Sequence, residues 1–185
     1  MKNSARRLWE QALVLRCQAG DDRAFEELVV AFHDRMKNYV DRVLGNPGNA
    51  EDILQEVWFD VYRKLPTLRS PKAIRGWLFR IVRNKNAHQF RRQRIPTESL
   101  EVAELADQSP PEPSFHDEDI RLLGDCLGSL SAEHREVVVL RFMEDMSYEE
   151  IARAANCRVG TVRSRLYYAK RVLKEEMQRL QNDSQ

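Results

Sequence analysis

Residues 147–171 read SYEEIARAANCRVGTVRSRLYYAKR. Ser147 can cap a helix while Glu150, three positions on, reaches back to the amide of the cap, which is the reciprocal pattern of a capping box. Ile151, Ala154 and Ala155 follow at helical spacing, and the small side chains let a second helix cross closely. Asn156 suits the left-handed conformation that stops a helix. The second helix begins near residues 157–159, with Val162, Leu166, Ala169 and Leu173 facing inward and Arg163, Ser164, Tyr167 and Arg171 facing out. Residues 158–174 hold six basic groups and no acid. The pattern is a helix-turn-helix whose second helix offers donors to a DNA major groove. A generic helical hairpin would share the inner stripe, but it would not combine cap box, Asn stop and acid-free outer face. Just upstream, Ser131 can cap a further helix that carries Val137, Val138, Leu140 and Phe142.

The 185 residues allow one ordinary domain or two small ones. Lys plus Arg is 30 and Asp plus Glu is 29, a net charge of +1, which excludes a uniformly basic coat. The charge is instead sorted along the chain. Residues 1–94 carry 19 basic and 11 acidic groups, residues 95–119 carry eight acids and no Lys or Arg, and residues 120–185 are near balance with 11 basic and 10 acidic groups. The acidic strip also holds Pro96, Pro110, Pro111 and Pro113, so it reads as a flexible linker between two domains. Two roles fit it: a solvated tether, or a polyanion that occupies a basic groove meant for nucleic acid. The longest apolar run, residues 28–32, is five long, where a membrane span needs about 20, so no membrane insertion is expected. Cys17, Cys126 and Cys157 cannot all pair and show no metal-ligand spacing, which predicts neither disulfide framework nor structural zinc and suits a cytoplasmic, reducing setting. With 7 Gly and no sustained alternating run, the expected fold is all-α.

The amino-terminal segment predicts a bundle. Residues 24–44 place Phe25, Leu28, Val29, Phe32, Met36, Tyr39, Val40 and Val43 on one helical stripe, ended by Gly45, Asn46, Pro47 and Gly48. A second helix over residues 50–65 turns Ile53, Leu54, Val57, Trp58, Val61, Tyr62 and Leu65 inward and Asp52, Gln55, Glu56 and Asp60 outward. Pro66 and Pro71 bracket a turn-rich connection before a third helix over residues 73–92, with Ile74, Trp77, Leu78, Ile81 and Val82 inward. A short helix over residues 9–19 is expected to pack on these. Residues 75–94 hold Arg75, Arg80, Arg83, Lys85, Arg91, Arg92 and Arg94 with no acid, while Trp77, Phe79, Asn84 and Asn86 lie among them. Such a mixture holds phosphates and stacks or hydrogen-bonds exposed bases. A solvated helix normally mixes signs to gain i,i+4 pairs, and this one does not.

Other chemistry is not indicated. His33, His88, His116 and His134 are scattered, and neither a Gly-rich phosphate loop nor a catalytic carboxylate pair is present, so no enzyme and no cofactor is expected. Cys157 at a helix start could sense redox, but burial in the turn explains it more simply.

Taken together, these residues resemble a bacterial RNA polymerase sigma factor of the extracytoplasmic-function (ECF) group, sigma-70 family, over about residues 24–176. The segment AEDILQEVWFDVYRK (50–64) is similar to the part of that family that docks on the clamp helices of the polymerase largest subunit. The segment GWLFRIVRNKNAHQFRR (76–92) is similar to the helix that meets the minus-ten element, and VGTVRSRLYYAKR (159–171) to the minus-thirty-five recognition helix. The resemblance implies polymerase binding through Asp52, Gln55 and Glu56. It implies a base-capturing loop over residues 65–72, including Leu65, Arg69 and Lys72, and a minus-ten face of Arg75, Trp77, Arg80, Asn84 and Arg91. The minus-thirty-five face comprises Thr161, Arg163, Ser164, Arg165, Tyr167, Tyr168 and Arg171. Residues 1–94 then correspond to region 2, residues 95–119 to the connector that threads the polymerase cleft, and residues 120–185 to region 4. The connector's place in the family favours the groove-occupying role. Departures fall at Lys85 and His88, where the family more often has an apolar residue and an acid, and at Tyr168, where a basic residue is common; they bear on promoter preference. The implied partners are core RNA polymerase, promoter DNA and an anti-sigma factor. The contrasting reading is a polymerase-independent helix-turn-helix regulator whose amino-terminal domain oligomerises. A structural adaptor would leave both basic stripes unexplained.

Overall fold

The computed structural model describes residues 2–44, 47–86 and 126–183. The chain divides into two compact units, Met1–Gln89 and Phe90–Gln185. Among the described residues every regular element is a helix, as the sequence predicts.

In the first unit, α1 (Lys2–Gln18) packs on α2 (Asp22–Tyr39), and α3 (Ala50–Lys64) packs on both α2 and α4 (Ile74–Lys85). Asp21 starts α2 by accepting a hydrogen bond from the Ala24 amide at 3.2 Å. The helix does not run on unchanged to residue 44: its last turn, Val40–Leu44, widens to a π-helix, which still keeps Val40 and Val43 buried. The core is Leu13, Val14, Leu28, Phe32, Met36, Tyr39, Leu54, Val57, Val61, Ile74, Leu78, Phe79 and Val82. Tyr39 and Phe79 meet edge to face with centroids 5.2 Å apart.

α1 is a full-length helix rather than a short one beginning at Trp9. Phe79, counted with the nucleic-acid groups, is fully buried, while Trp77 and Ile81, expected inside, are only partly covered. Arg75 is also inside, 2% exposed, and donates from Nε to Glu10 Oε2 at 2.7 Å. Glu10 simultaneously receives Arg75 through Oε1 at 3.0 Å and Arg35 at 3.2 Å, so one buried carboxylate ties α1, α2 and α4 together. A buried charge persists only when paired and hydrogen-bonded, and this pairing satisfies that requirement.

The second unit is built on α5 (Ala132–Val138), α6 (Tyr148–Ala155) and α7 (Val159–Asp183), and both α5 and α6 pack on α7. Ser131 caps α5, and Arg135 holds the preceding turn, Leu127–Ser129, by donating to the carbonyls of Leu127 and Leu130 at 2.8 and 3.0 Å. After α5 a π-turn, Val139–Met143, and a left-handed Asp145 at φ 50° redirect the chain into α6. The stretch 87–125, which contains the expected linker, lies outside the described residues.

Candidate nucleic-acid interface

The helix-turn-helix forms from its local chemistry. Ser147 Oγ accepts from the Glu150 amide at 3.3 Å and Glu150 Oε2 accepts from the Ser147 amide at 2.7 Å, which satisfies two amides that α6 would otherwise leave open. Asn156 closes α6 in the left-handed region, φ 51° and ψ 51°, and the Cys157 amide returns to the Ala152 carbonyl at 3.0 Å. Ile151, Ala154, Ala155, Val162, Leu166, Ala169 and Leu173 are all buried, so the small side chains of α6 do permit a close crossing.

This packing fixes which side of α7 faces solvent. Arg163, Tyr167 and Arg171 recur at four-residue steps along one exposed strip, and Lys174 extends it. Tyr167 is 49% exposed and packs edge to face on Tyr168 at 5.6 Å. Thr161 and Tyr168 flank the strip, half-buried. Ser164, expected outward, is instead buried: its hydroxyl donates to the Thr161 carbonyl at 3.0 Å, a back-bond inside the helix. Arg165 points towards the unit as well, with Nη1 buried. His134 of α5 lies tilted over Tyr168 at 6.4 Å; burial first, and the nearby Arg165 second, push its pKa below the ordinary value of 6.5.

In the first unit, the acid face of α3 is open. Asp52, Gln55 and Glu56 are exposed on one helical strip. Phe59 continues that strip at 63% exposure with the Arg63 guanidinium 5.6 Å above its ring. Its signal in the sequence is an aromatic seven residues after Asp52, on the polar face of the helix. Glu56 is paired with Lys85 of α4 at 3.2 Å, while Asp60 takes Lys64 at 3.3 Å.

The connection between α3 and α4 is two short 3-10 turns, Leu65–Thr67 and Pro71–Ala73, each with a proline at its start, where no amide is required. Gln18 of α1 pins it by donating to the carbonyls of Leu65 and Leu68 at 3.1 and 2.8 Å. Leu65 is therefore an anchor, 2% exposed, while Arg69, Ser70 and Lys72 are exposed beyond it. On α4, Arg80 and Asn84 are exposed and Trp77 is partly so, whereas Arg75 is committed to Glu10. Arg91 lies outside the described residues. His33 serves packing: Nδ1 accepts from Trp58 Nε1 at 3.3 Å and Nε2 faces Glu51 at 3.2 Å, joining α2 to α3. Among the described residues no helix is long and apolar enough to cross a membrane, and no three His, Cys, Asp or Glu side chains are grouped to hold a metal ion.

Two family models match the chain: Sigma-70 region 2 over residues 28–95 and Sigma-70, region 4 over residues 120–173. The chain is 34% identical to the ECF RNA polymerase sigma-E factor of Escherichia coli K12, over 94% of this chain and 96% of that protein. It is also 34% identical to the RNA polymerase sigma-H factor of Pseudomonas aeruginosa PAO1, over 92% of this chain and 95% of that one. Among solved structures, it is similar to the sigma factor RpoE from Bartonella quintana, co-crystallised with the anti-sigma factor NepR, with a TM-score of 0.61 and 25% identity over 83% of this chain and 96% of that chain. It shares its fold with CnrH, solved in complex with the cytosolic domain of CnrY, at a TM-score of 0.66 and 23% identity over 92% and 97% of the two chains. The helix-turn-helix around α7 and the α3–α4 pair thus fall inside the two matched regions, and the chain belongs to the ECF group of RNA polymerase sigma factors within the sigma-70 family.

Proposed function

We infer that this protein binds core RNA polymerase, directs it to specific promoters and nucleates strand separation, with no catalytic step of its own. The observation that carries the reading is the division of charged faces: an exposed acidic strip on α3, and basic strips on the α3–α4 connection, α4 and α7. Asp52, Gln55 and Glu56 meet polymerase, with Phe59 as an apolar neighbour. Arg69, Lys72, Trp77, Arg80 and Asn84 face the minus-ten element, joined by Arg91. Arg163, Tyr167 and Arg171, flanked by Thr161 and Tyr168, face the minus-thirty-five element. Residues 1–94 act as region 2, residues 95–119 as an acidic connector and residues 120–185 as region 4. An anti-sigma factor covers these faces when the protein is idle, as such partners accompany RpoE in its solved structure. The protein works in the cytoplasm and joins the nucleoid when bound to polymerase.

Energetics explain why polymerase is required. Opening about 10 base pairs at about 1.4 kcal/mol per stacking step costs on the order of 14 kcal/mol. Two bases captured at about 1–3 kcal/mol each return only about 2–6 kcal/mol. The deficit must come from the larger assembly. The test is charge reversal on α3: Asp52→Lys with Glu56→Lys abolishes capture of purified core polymerase. If that double variant still bound core as well as the natural chain and the natural chain repressed or activated alone, the polymerase-independent regulator would replace this reading.

A further inference from the structure

We propose that Gln18 is a positioning residue for base capture: by holding the Leu65 and Leu68 carbonyls it fixes in advance the loop from which Arg69, Ser70 and Lys72 meet a base drawn out of the minus-ten element. The inference rests on the base-capturing reading of residues 65–72. Gln18 is the last residue of α1 and precedes residue 28, where the region 2 match begins. Its half-buried side chain donates from Nε2 to the Leu65 carbonyl at 3.1 Å and to the Leu68 carbonyl at 2.8 Å, one acceptor for each hydrogen of the amide.

The two bonds act on different parts of the loop. Leu65 is already anchored by burial, and its carbonyl also accepts the Leu68 amide at 3.1 Å, which closes the first turn. Leu68 lies beyond that anchor, immediately before Arg69, with an extended backbone at φ −68° and ψ 108°. Regular structure resumes at Pro71–Ala73, where the Ala73 amide donates to the Ser70 carbonyl at 2.9 Å. The bond to Leu68 therefore sets the point from which Arg69 and Ser70 project. The end of α1 that carries Gln18 is held in turn: Arg16 donates to Asp21, the cap of α2, at 2.9 Å and to Glu27 at 3.1 Å. A loop ordered only when the base arrives loses part of the stacking energy to that ordering, so fixing it beforehand strengthens capture.

The experiment measures holoenzyme affinity for a labelled promoter fragment that is duplex upstream and single-stranded on the non-template strand across the minus-ten element. An abasic site is moved through that element, and each affinity is divided into that for the intact fragment. Stacking of one captured base contributes roughly 5–150-fold in affinity, so the natural chain loses about that much at one or two positions. Gln18→Met, of similar length and without a donor, shrinks the loss at those positions about 3–10-fold, while affinity for the abasic fragments stays unchanged. Gln18→Lys regains an N–H donor and restores the natural ratio, its added charge acting on both fragments alike. In the free full-length chain, amide hydrogen exchange at Leu68 and Ala73 quickens in Gln18→Met and stays unchanged along α3 and α4. Trp fluorescence melts and capture of core polymerase confirm that each variant is folded and docks. An unchanged ratio, equal weakening on intact and abasic fragments, or unaltered exchange at Leu68 overturns the positioning role alone. A natural chain indifferent to the abasic site at every position defeats the base-capture reading, and the role of Gln18 falls with it.

Discussion

Replacing Glu10 by Gln is expected to cost the amino-terminal unit a large part of its stability while sparing the other unit. The Glu10 and Arg75 side chains are each 2% exposed and meet through two hydrogen bonds, at 2.7 and 3.0 Å. Removing one member of such a pair strands the other charge away from water and costs about 3–5 kcal/mol. A domain's whole stability is only about 5–15 kcal/mol. At about 4–8 °C per kcal/mol for a domain of this size, the melting temperature falls by roughly 12 °C or more. Arg35, also bonded to Glu10, is 14% exposed and closer to water, so Arg75 carries most of the penalty. The assay is direct because the three tryptophans, Trp9, Trp58 and Trp77, all lie in this unit. Trp fluorescence therefore follows it alone, and far-UV ellipticity follows both units. Glu10→Met combined with Arg75→Met should recover most of the loss, since apolar replacement of a buried pair is often neutral or stabilising. In that folded double variant the salt dependence of DNA binding by holoenzyme is expected to stay unchanged, because Arg75 is buried against Glu10. A Glu10→Gln shift below about 1 kcal/mol, or a double variant no better than the single, would refute the argument.

Asn156 should tolerate Gly with a change of a few tenths of a kcal/mol, whereas Val at this left-handed position costs about 1–2 kcal/mol; thermal denaturation followed by ellipticity distinguishes them. Arg163→Ala should lose about 1–3 kcal/mol of discrimination at one base pair of the upstream element, read by competition among single-base variants of a promoter. Ser164→Ala, by contrast, should leave that discrimination intact, since its hydroxyl is turned back to the Thr161 carbonyl. His134, whose folded pKa is depressed, stays neutral in the folded unit while the unfolded chain takes up a proton near pH 6.5. Its contribution is therefore fully present above that pH and declines as the pH falls from about 6.5 towards the lower folded value, a dependence that His134→Gln should flatten in denaturant titrations.

Much of this architecture was legible because it is locally encoded. The Ser147–Glu150 cap box and the Asn156 stop each involve residues within a few positions of one another, and the inner stripe of α7 follows from helical periodicity alone. Most of what differs from the sequence pattern depends on distant residues. Arg75 reads as one more cation in an acid-free run, and only a carboxylate 65 positions earlier draws it inside. The exchange of Trp77 and Phe79 follows from the same pull, since burying Arg75 rotates Phe79 towards Tyr39 and leaves Trp77 at the margin. Leu65 reads as part of a capturing loop, but Gln18, 47 positions away, clamps its carbonyl and turns the side chain into an anchor. Ser164 reads as outward from its place beside Arg163, whereas its side chain is buried and its hydroxyl bonds back to the Thr161 carbonyl within the same helix.

Permanganate footprinting on a target promoter tests the central division of labour most directly. The account predicts thymines reactive around the minus-ten element with holoenzyme, and none with the free protein at any concentration that saturates binding. Reactive thymines produced by the protein alone would contradict it.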